Sequence, residues 1–219
     1  RPALESADPE NQLLARAPRY RLTAEMIRDN ALDASGLIST RMGGGGSKPY
    51  DLTESFKPMG HDKGEGLYRR SVYTFWKRTG PAPVMMALDA SKRDVCRAKR
   101  ETTATPLQAL VLMNGPQFVE AARMLGAAMV REHGDNIQSI VRETFRTLTS
   151  REPSSREVAL LKQLHDEQLA HFEKDAKATN AFLGTGASPE PSGLAKPRVA
   201  AAGVLAKALM NFDETVVKR

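Results

Sequence analysis

The residues whose types and spacing could do chemistry lie between Asp89 and Thr105. Asp89 is followed by Arg93, Arg97, Arg100 and the Thr-Pro pair that begins with Thr105. An arginine pair near a carboxylate can bind sulfate, phosphate or a uronate through two parallel hydrogen bonds. If residues 92–100 form a helix, Arg93, Cys96 and Arg100 share one face. The alternative is a buried structural network in which Asp89 neutralises Arg93 or Arg100, and the pattern favours that alternative.

These arginines belong to a basic segment that runs from Arg69 and Arg70 to Arg100. The segment contains nine bases and two acids, a net charge of +7, whereas the whole chain carries +6. The rest of the chain is therefore close to neutral. A dedicated nucleic-acid binder usually repeats its bases along one face, interleaved with aromatic residues. The clustering of arginines among apolar residues fits ion pairs or capped carbonyl groups at least as well, so nucleic-acid binding is the less favoured interpretation.

Cysteine and histidine offer few ligands for a cofactor. The single cysteine, Cys96, excludes an internal disulfide, a multi-cysteine metal cage and a Cys-x-x-Cys-His haem attachment. His165 and His171 are six residues apart and point in different directions on a helix. His61, beside Asp62 in a glycine-rich stretch, is the one histidine placed to act as a loop-borne acid–base or haem-facing group. We expect no haem and no metal in this chain.

Two further motifs invite a functional interpretation that their details oppose. The run Gly43–Gly46 ends in Ser47-Lys48 and then proline, whereas a phosphate-binding loop requires Gly-Lys-Ser/Thr after a buried strand. The run is therefore predicted to be a flexible loop. Tyr73, Phe75 and Trp76 could stack on a carbohydrate, but alternate residues of a strand point to opposite faces, so core packing is favoured.

The elements that must position these residues are mainly helices. Aromatic residues make up only 5% of a chain whose apolar content is 41%, which favours helix over sheet. We predict a mainly α fold with one small β element, a strand over residues 67–78. The chain is predicted to be a single domain and a fragment of a larger protein, with these parts: N-terminal helices over 1–40, a long Gly/Pro-rich loop over 41–66, a basic strand region over 67–104 and a helical part over 105–219.

Capping residues locate most of the helices. Residues 10–17 resemble a helix ended by Pro18, and Thr23 is an N-cap for a helix that stops at Gly36. Thr105 before proline starts a helix that ends near Asn114. Ser154 and Glu157 form a capping box. The remaining helices are predicted over 116–131, 137–148, 154–172 and 199–211, and residues 84–88 form either a helical turn or a second strand segment.

One long stretch resembles a known family. The residues LYRRSVYTFWKRTGPAPVMMALDASKRDVCRAKRETTATPLQALVLMNGPQFVEAARML, from Leu67 to Leu125, resemble planctomycete domain of unknown function fifteen-fifty-three, the PSD-one type. The resemblance extends upstream through RLTAEMIRDNALDASGLIS and GGSKPY, and downstream through TLTSREPSSREVALLKQL to ALMNFDE. It implies a C-terminal domain behind a cytochrome-c-like domain, in a protein with an export signal.

These observations favour a non-catalytic binding or scaffolding module of an exported, cytochrome-linked bacterial protein. The resemblance implies an extracytoplasmic location, in the periplasm or at the cell surface, and an upstream cytochrome-c-like domain of the same polypeptide as the partner. Haem is expected only in that neighbouring domain. Two alternatives stay open: part of an enzyme acting on an anionic polysaccharide, whose sulfate or carboxylate groups the arginines bind, and a basic nucleic-acid-binding module. No run of about 18 apolar residues predicts a transmembrane segment.

Overall fold

Two helices with small residues on their facing sides form the centre of the computed structural model. It describes residues 2–15, 20–49, 53–54, 57–58, 60–77, 81–92 and 96–218. The helices are α1 (Pro2–Ala7), α2 (Ala24–Ala34), α3 (Pro83–Ala87), α4 (Pro106–Asn114), α5 (Pro116–His133), α6 (Ile137–Thr149), α7 (Ser155–Lys174), α8 (Ala176–Leu183), α9 (Lys196–Met210) and α10 (Asp213–Val216). The strands are β1 (Tyr20–Arg21), β2 (Thr53–Glu54), β3 (Lys57–Pro58) and β4 (Val217–Lys218). The mainly α prediction with a small β element is confirmed.

Helices α5 and α9 pack on each other along most of their length. Their backbones approach closely at Gly126, where an added Cβ atom would lie 2.5 Å from the backbone nitrogen of Gly203. The alanine-rich faces beside this crossing are fully buried. Small side chains allow this approach because nothing larger than hydrogen or methyl separates the two backbones. Helices α6, α7 and α8 cover α9, while α2 and α4 pack against the other side of the α5–α9 pair.

The strand predicted over residues 67–78 is wrong. In its described part, to residue 77, the chain forms 3-10 turns at Gly64–Leu67 and Ser71–Tyr73 with isolated bridges. The Arg28 side chain of α2 explains the difference, since its guanidinium donates to the carbonyls of Leu67 at 2.6 Å and Arg69 at 2.8 Å. Carbonyl groups bound to a side chain are not available for a strand ladder.

The actual β elements lie elsewhere. Strand β1 pairs antiparallel with β4, which joins the region before α2 to the C-terminal residues of the fold. Strands β2 and β3 form a short hairpin inside the predicted loop over 41–66. The predicted helix over residues 10–17 is also wrong in its described part, 10–15, because the Asp8 carboxylate accepts from the amides of Gln12 and Leu13 and forms a turn.

The helix starts predicted from capping residues are confirmed at three places. Thr23 accepts from the Met26 amide at the start of α2, and Thr105 and Ser154 form capping boxes at the starts of α4 and α7. Residues 84–88 fall mostly in a helix rather than a strand. Helix α8, which begins at the N-cap Asp175, was not predicted.

Candidate functional site

Asp89 is the centre of a polar cluster that fixes the start of α4. It follows α3 in a left-handed conformation with φ of 65°. Its carboxylate accepts from the Thr103 amide at 2.7 Å, from the Thr103 hydroxyl at 2.8 Å and from the Gln108 side-chain amide at 2.9 Å. Gln108 is 1% exposed, and its backbone amide also donates to the N-cap hydroxyl of Thr105. The cluster therefore joins the end of α3 to the start of α4.

One of the two arginines predicted to pair with Asp89 has another partner. Arg100 pairs with Glu25 of α2 at 2.8 Å rather than with Asp89, and Arg93 lies outside the described residues. Burial by itself would raise the pKa of Asp89, but the hydrogen bonds from Thr103 and Gln108, together with the charge of Arg21, outweigh burial and lower that pKa. The Asp89 carboxylate is thus stabilised mainly by neutral donors.

A second exposed arginine near Asp89 is also paired. Arg97 donates to Glu101 at 2.7 Å, and the described residues 96–100 are not helical, so no helix face brings Cys96 and Arg100 together. Cys96 is exposed. A small cavity of about 110 Å³ opens between these groups. It is lined by three bases and two acids, Lys92, Arg97, Arg100, Asp89 and Glu101, among other residues.

Arg69 and Arg70 have opposite surroundings. Arg69 is buried and stacks over the Tyr73 ring, with 3.9 Å between its guanidinium carbon and the ring centre. Its guanidinium donates to the carbonyls of Gly43 and Gly45, so this run presents carbonyl groups to a cation. A phosphate loop needs N–H groups in that place. Arg70 is exposed and borders an open depression of about 550 Å³ that Arg100 also lines.

Two more buried arginines bind loops to the helices, and neither was predicted. Arg28 of α2, 1% exposed, donates to loop carbonyls and to Gln117. Arg123 of α5 donates to the carbonyls of Thr185, Ser188 and Pro189. Burial lowers the pKa of Arg123, against the opposing effect of nearby Glu120. The sequence does contain a signal for them, because each arginine occupies a position where the helical periodicity calls for a buried apolar residue.

Helix α4 exposes an apolar face that no described element covers. Leu107 and Leu110 are each 56% exposed and Met113 is 42% exposed, at three-residue spacing along one side. Leu112, on the opposite side, is 1% exposed and belongs to the core. The helix carries no charged residue in its sequence PLQALVLMN. A helix that is apolar all round is normally buried all round, so the exposed face of α4 is unusual.

His61 is exposed and lies at a separate cavity, beside Leu67 and Val84 rather than near Asp89. Trp76 packs against the core, and its indole N–H donates to the Lys92 carbonyl at 2.8 Å. The predicted site residues that the structure describes thus fall into four places: the polar cluster at Asp89, the loop held by Arg69, the open depression beside Arg70 and the cavity at His61. Among the described residues, no three His, Cys, Asp or Glu side chains come together as a metal site.

These features define a helical domain whose loops are held by buried arginines and whose α4 presents a rigid apolar face. The family PSD1, described as a protein of unknown function (DUF1553), matches residues 1–165, and the chain belongs to this family. The match ends within α7, before the core helix α9. No curated protein and no solved structure matches the chain. In the part of the chain that the structure describes, no helix combines the length and apolarity needed to cross a membrane.

Proposed function

We propose that this chain is a non-catalytic binding or scaffolding module of an exported, cytochrome-linked bacterial protein. The outer face of α4, formed by Leu107, Leu110 and Met113, is its docking surface. The observation that carries the proposal is the exposure of all three side chains on a helix without charged residues. Met and large apolar side chains grouped on one face are typical of protein-binding surfaces.

The polar cluster at Asp89 supports the same function because it makes α4 rigid. The capping box of Thr105 and Gln108 fixes the first turn, and Asp89 connects that turn to α3. Helix α4 also packs on α5 and α9 through its inner side. A docking element that is already ordered loses little conformational entropy when it binds.

The size of the apolar face indicates what kind of partner it binds. Burying a whole leucine or methionine side chain contributes about 1.5–3 kcal/mol, which corresponds to roughly 100 Å² of apolar surface at about 25 cal/mol per Å². The three half-exposed side chains therefore offer a partner on the order of 200 Å² of apolar surface. A stable interface between free proteins uses about 800 Å² from each partner. Two copies of α4 would not supply that area. A partner on the same polypeptide needs less, because tethering gives an effective concentration in the millimolar range. The cytochrome-c-like domain implied by the resemblance would be such a partner.

The second candidate is a role in an enzyme that acts on anionic polysaccharide. The cavity lined by Lys92, Arg97 and Arg100 is the observation in its favour. Arg97 and Arg100 already pair with glutamates, which reduces what they can contribute to an anion. Nucleic-acid binding has less support, since Arg28, Arg69 and Arg123 are buried and occupied by loop carbonyls. Retention on a sulfated polysaccharide at low salt that is lost in Arg97→Gln would favour the second candidate.

A fluorescent label on α4 tests the docking surface directly. In a Cys96→Ser background, Leu110→Cys is labelled with a solvent-sensitive dye, and Leu160→Cys on α7 serves as the control because Leu160 is equally exposed at 58%. Docking predicts a blue-shifted emission from position 110 in the full-length polypeptide relative to this chain by itself, with no shift at position 160. The same emission at position 110 in both proteins would remove the proposed surface.

A further inference from the structure

A second candidate site lies away from α4, in a cavity of about 430 Å³ beside α5. Its walls are largely apolar and include Leu67, Val84 and three prolines, Pro49, Pro83 and Pro116. Glu120 lines it from α5, and the exposed His61 borders it. The volume falls within the range of small-molecule sites, about 300–1,000 Å³. An apolar cavity with one buried carboxylate has the composition of a binding site rather than of a packing defect.

The two carboxylate oxygens of Glu120 have different surroundings. Oε1 accepts three hydrogen bonds, from the Tyr68 hydroxyl at 2.7 Å, the Ala187 amide at 2.9 Å and the Ser188 amide at 2.6 Å. Among the described residues, none donates a hydrogen bond to Oε2. The side chain as a whole is only 4% exposed, and Oε2 is not fully buried, so this oxygen is open to the cavity that Glu120 lines. A carboxylate oxygen that is open to the cavity and has no donor among the described residues is an acceptor available to a ligand.

The side-chain donors of Arg123 and Gln117, which lie near Glu120, are already occupied. Arg123 lies on the Oε1 side, 3.9 Å from that oxygen, and its N–H groups donate to the carbonyls of the loop after α8. Gln117 donates to the Pro49 carbonyl at 2.7 Å, and its side-chain oxygen accepts from Arg28. Gly186 lies so close to Glu120 that an added Cβ would overlap the carboxyl group. The wall of the cavity is therefore closely fitted around Glu120.

We infer that this cavity binds the terminal cation of an aliphatic chain, an alkylammonium group, with Glu120 Oε2 as the acceptor and Leu67 and Val84 against the alkyl carbons. A charged donor forms a stronger hydrogen bond with a carboxylate than a neutral hydroxyl does. The apolar walls suit the alkyl part and offer no anion-binding group. Such a ligand is either a free amine or a lysine side chain of a peptide.

The test is an NMR titration of the folded chain with n-butylammonium chloride, followed through the amides of Gly186 and Ala187, which form the cavity wall. Uncharged n-butanol has the same chain length and is the control ligand. We expect n-butylammonium to bind at least about tenfold more tightly than n-butanol, the effect of one charge-assisted hydrogen bond. Equal affinities, or no shift at either amide, would overturn the inference.

Two variants separate the carboxylate from the cavity. Glu120→Gln keeps an acceptor for the three Oε1 donors and should lower the affinity for n-butylammonium about tenfold. Glu132→Gln, an exposed change on the same helix, should leave the affinity unchanged. Val84→Phe should fill the cavity and abolish binding, and it decides the matter if Glu120→Gln does not fold. Unchanged binding in folded Val84→Phe would place the ligand elsewhere and contradict the inference.

The source of the cation is distinguished by a second pair of ligands. Nα-acetyl-lysine methylamide carries the same alkylammonium group on a peptide backbone. Tighter binding than that of n-butylammonium would assign the cavity to a lysine side chain, and weaker binding would assign it to a free amine. Either result supports the alkylammonium site. An affinity for both ligands that is unchanged in Glu120→Gln would refute it.

Discussion

Replacing Asp89 tests how the polar cluster holds α4. In Asp89→Ala the Thr103 amide and hydroxyl, which are exposed, bind water instead and lose about 0.5–1 kcal/mol each. Gln108 is buried and retains only the Thr103 hydroxyl at 3.0 Å as an acceptor, a loss of about 1 kcal/mol. Alanine in the left-handed conformation adds about 1 kcal/mol. The expected loss in the free energy of unfolding is about 3–4 kcal/mol.

Urea unfolding followed by circular dichroism measures this loss, with two control variants that separate its causes. Asp89→Gly removes the same acceptor but tolerates the positive φ, so it should cost about 1 kcal/mol less than Asp89→Ala. Asp89→Asn keeps the shape and one acceptor oxygen and should cost about 1 kcal/mol. An unchanged midpoint in Asp89→Ala, or a larger loss in Asp89→Gly, would refute this account of the cluster.

The same variants have a defined pH dependence. Hydrogen bonds lower the pKa of Asp89 in the folded protein, so its contribution to stability is complete above the unfolded pKa of about 3.9 and is lost as the pH falls through the lower folded value. The stability difference between wild type and Asp89→Asn should therefore close as the pH falls through the folded pKa of Asp89. If the difference persists where Asp89 is protonated, the shape of the side chain rather than its charge causes the difference in stability.

Three further changes have expected outcomes that equilibrium unfolding can check. Gly126→Ala should cost about 3 kcal/mol because its Cβ would meet the α9 backbone, whereas Gly45→Ala, with open space at its Cβ, should cost less than about 1 kcal/mol; equal effects would contradict the close helix crossing. Thr105→Ala should cost about 1 kcal/mol through the lost cap, and no change would show that the cap is dispensable. Hydrogen bonds from Arg151 lower the pKa of Glu157 to about 2. Glu157→Gln should therefore destabilise this partly exposed pair by about 1 kcal/mol at neutral pH. That loss should disappear as the pH falls from about 4.5 towards 2.

The parts of the fold that follow from short-range rules could be predicted. Thr105 before proline and Ser154 three residues before Glu157 identify helix starts, because a cap acts on amides within one turn. The failure over residues 67–77 has the opposite cause. Its backbone conformation depends on Arg28, which is 39 residues from Leu67 in the sequence. A strand-like composition cannot show that a distant side chain occupies the carbonyl groups.

The candidate sites show the same division. Asp89 could be identified as a hub, since it is one of two acids in a strongly basic segment, but the sequence pointed to arginines as its partners. The observed partner Gln108 is a neutral side chain, and charge counting does not detect neutral donors. Glu120 was missed because its role arises from the loop after α8, 67 and 68 residues further along the chain. Only the three-dimensional contacts reveal that one of its oxygens has no donor among the residues that the structure describes.

Hydrogen exchange at α4 is the most direct test of the proposed docking function. The exchange of amides 107–114 is compared between this chain and the full-length, cytochrome-linked polypeptide that we propose carries it, with amides of helix α7 as the internal reference. Docking of a neighbouring domain on Leu107, Leu110 and Met113 predicts slower exchange in α4 of the full-length polypeptide and unchanged exchange in α7. The same exchange rates in α4 of both proteins would contradict the docking function.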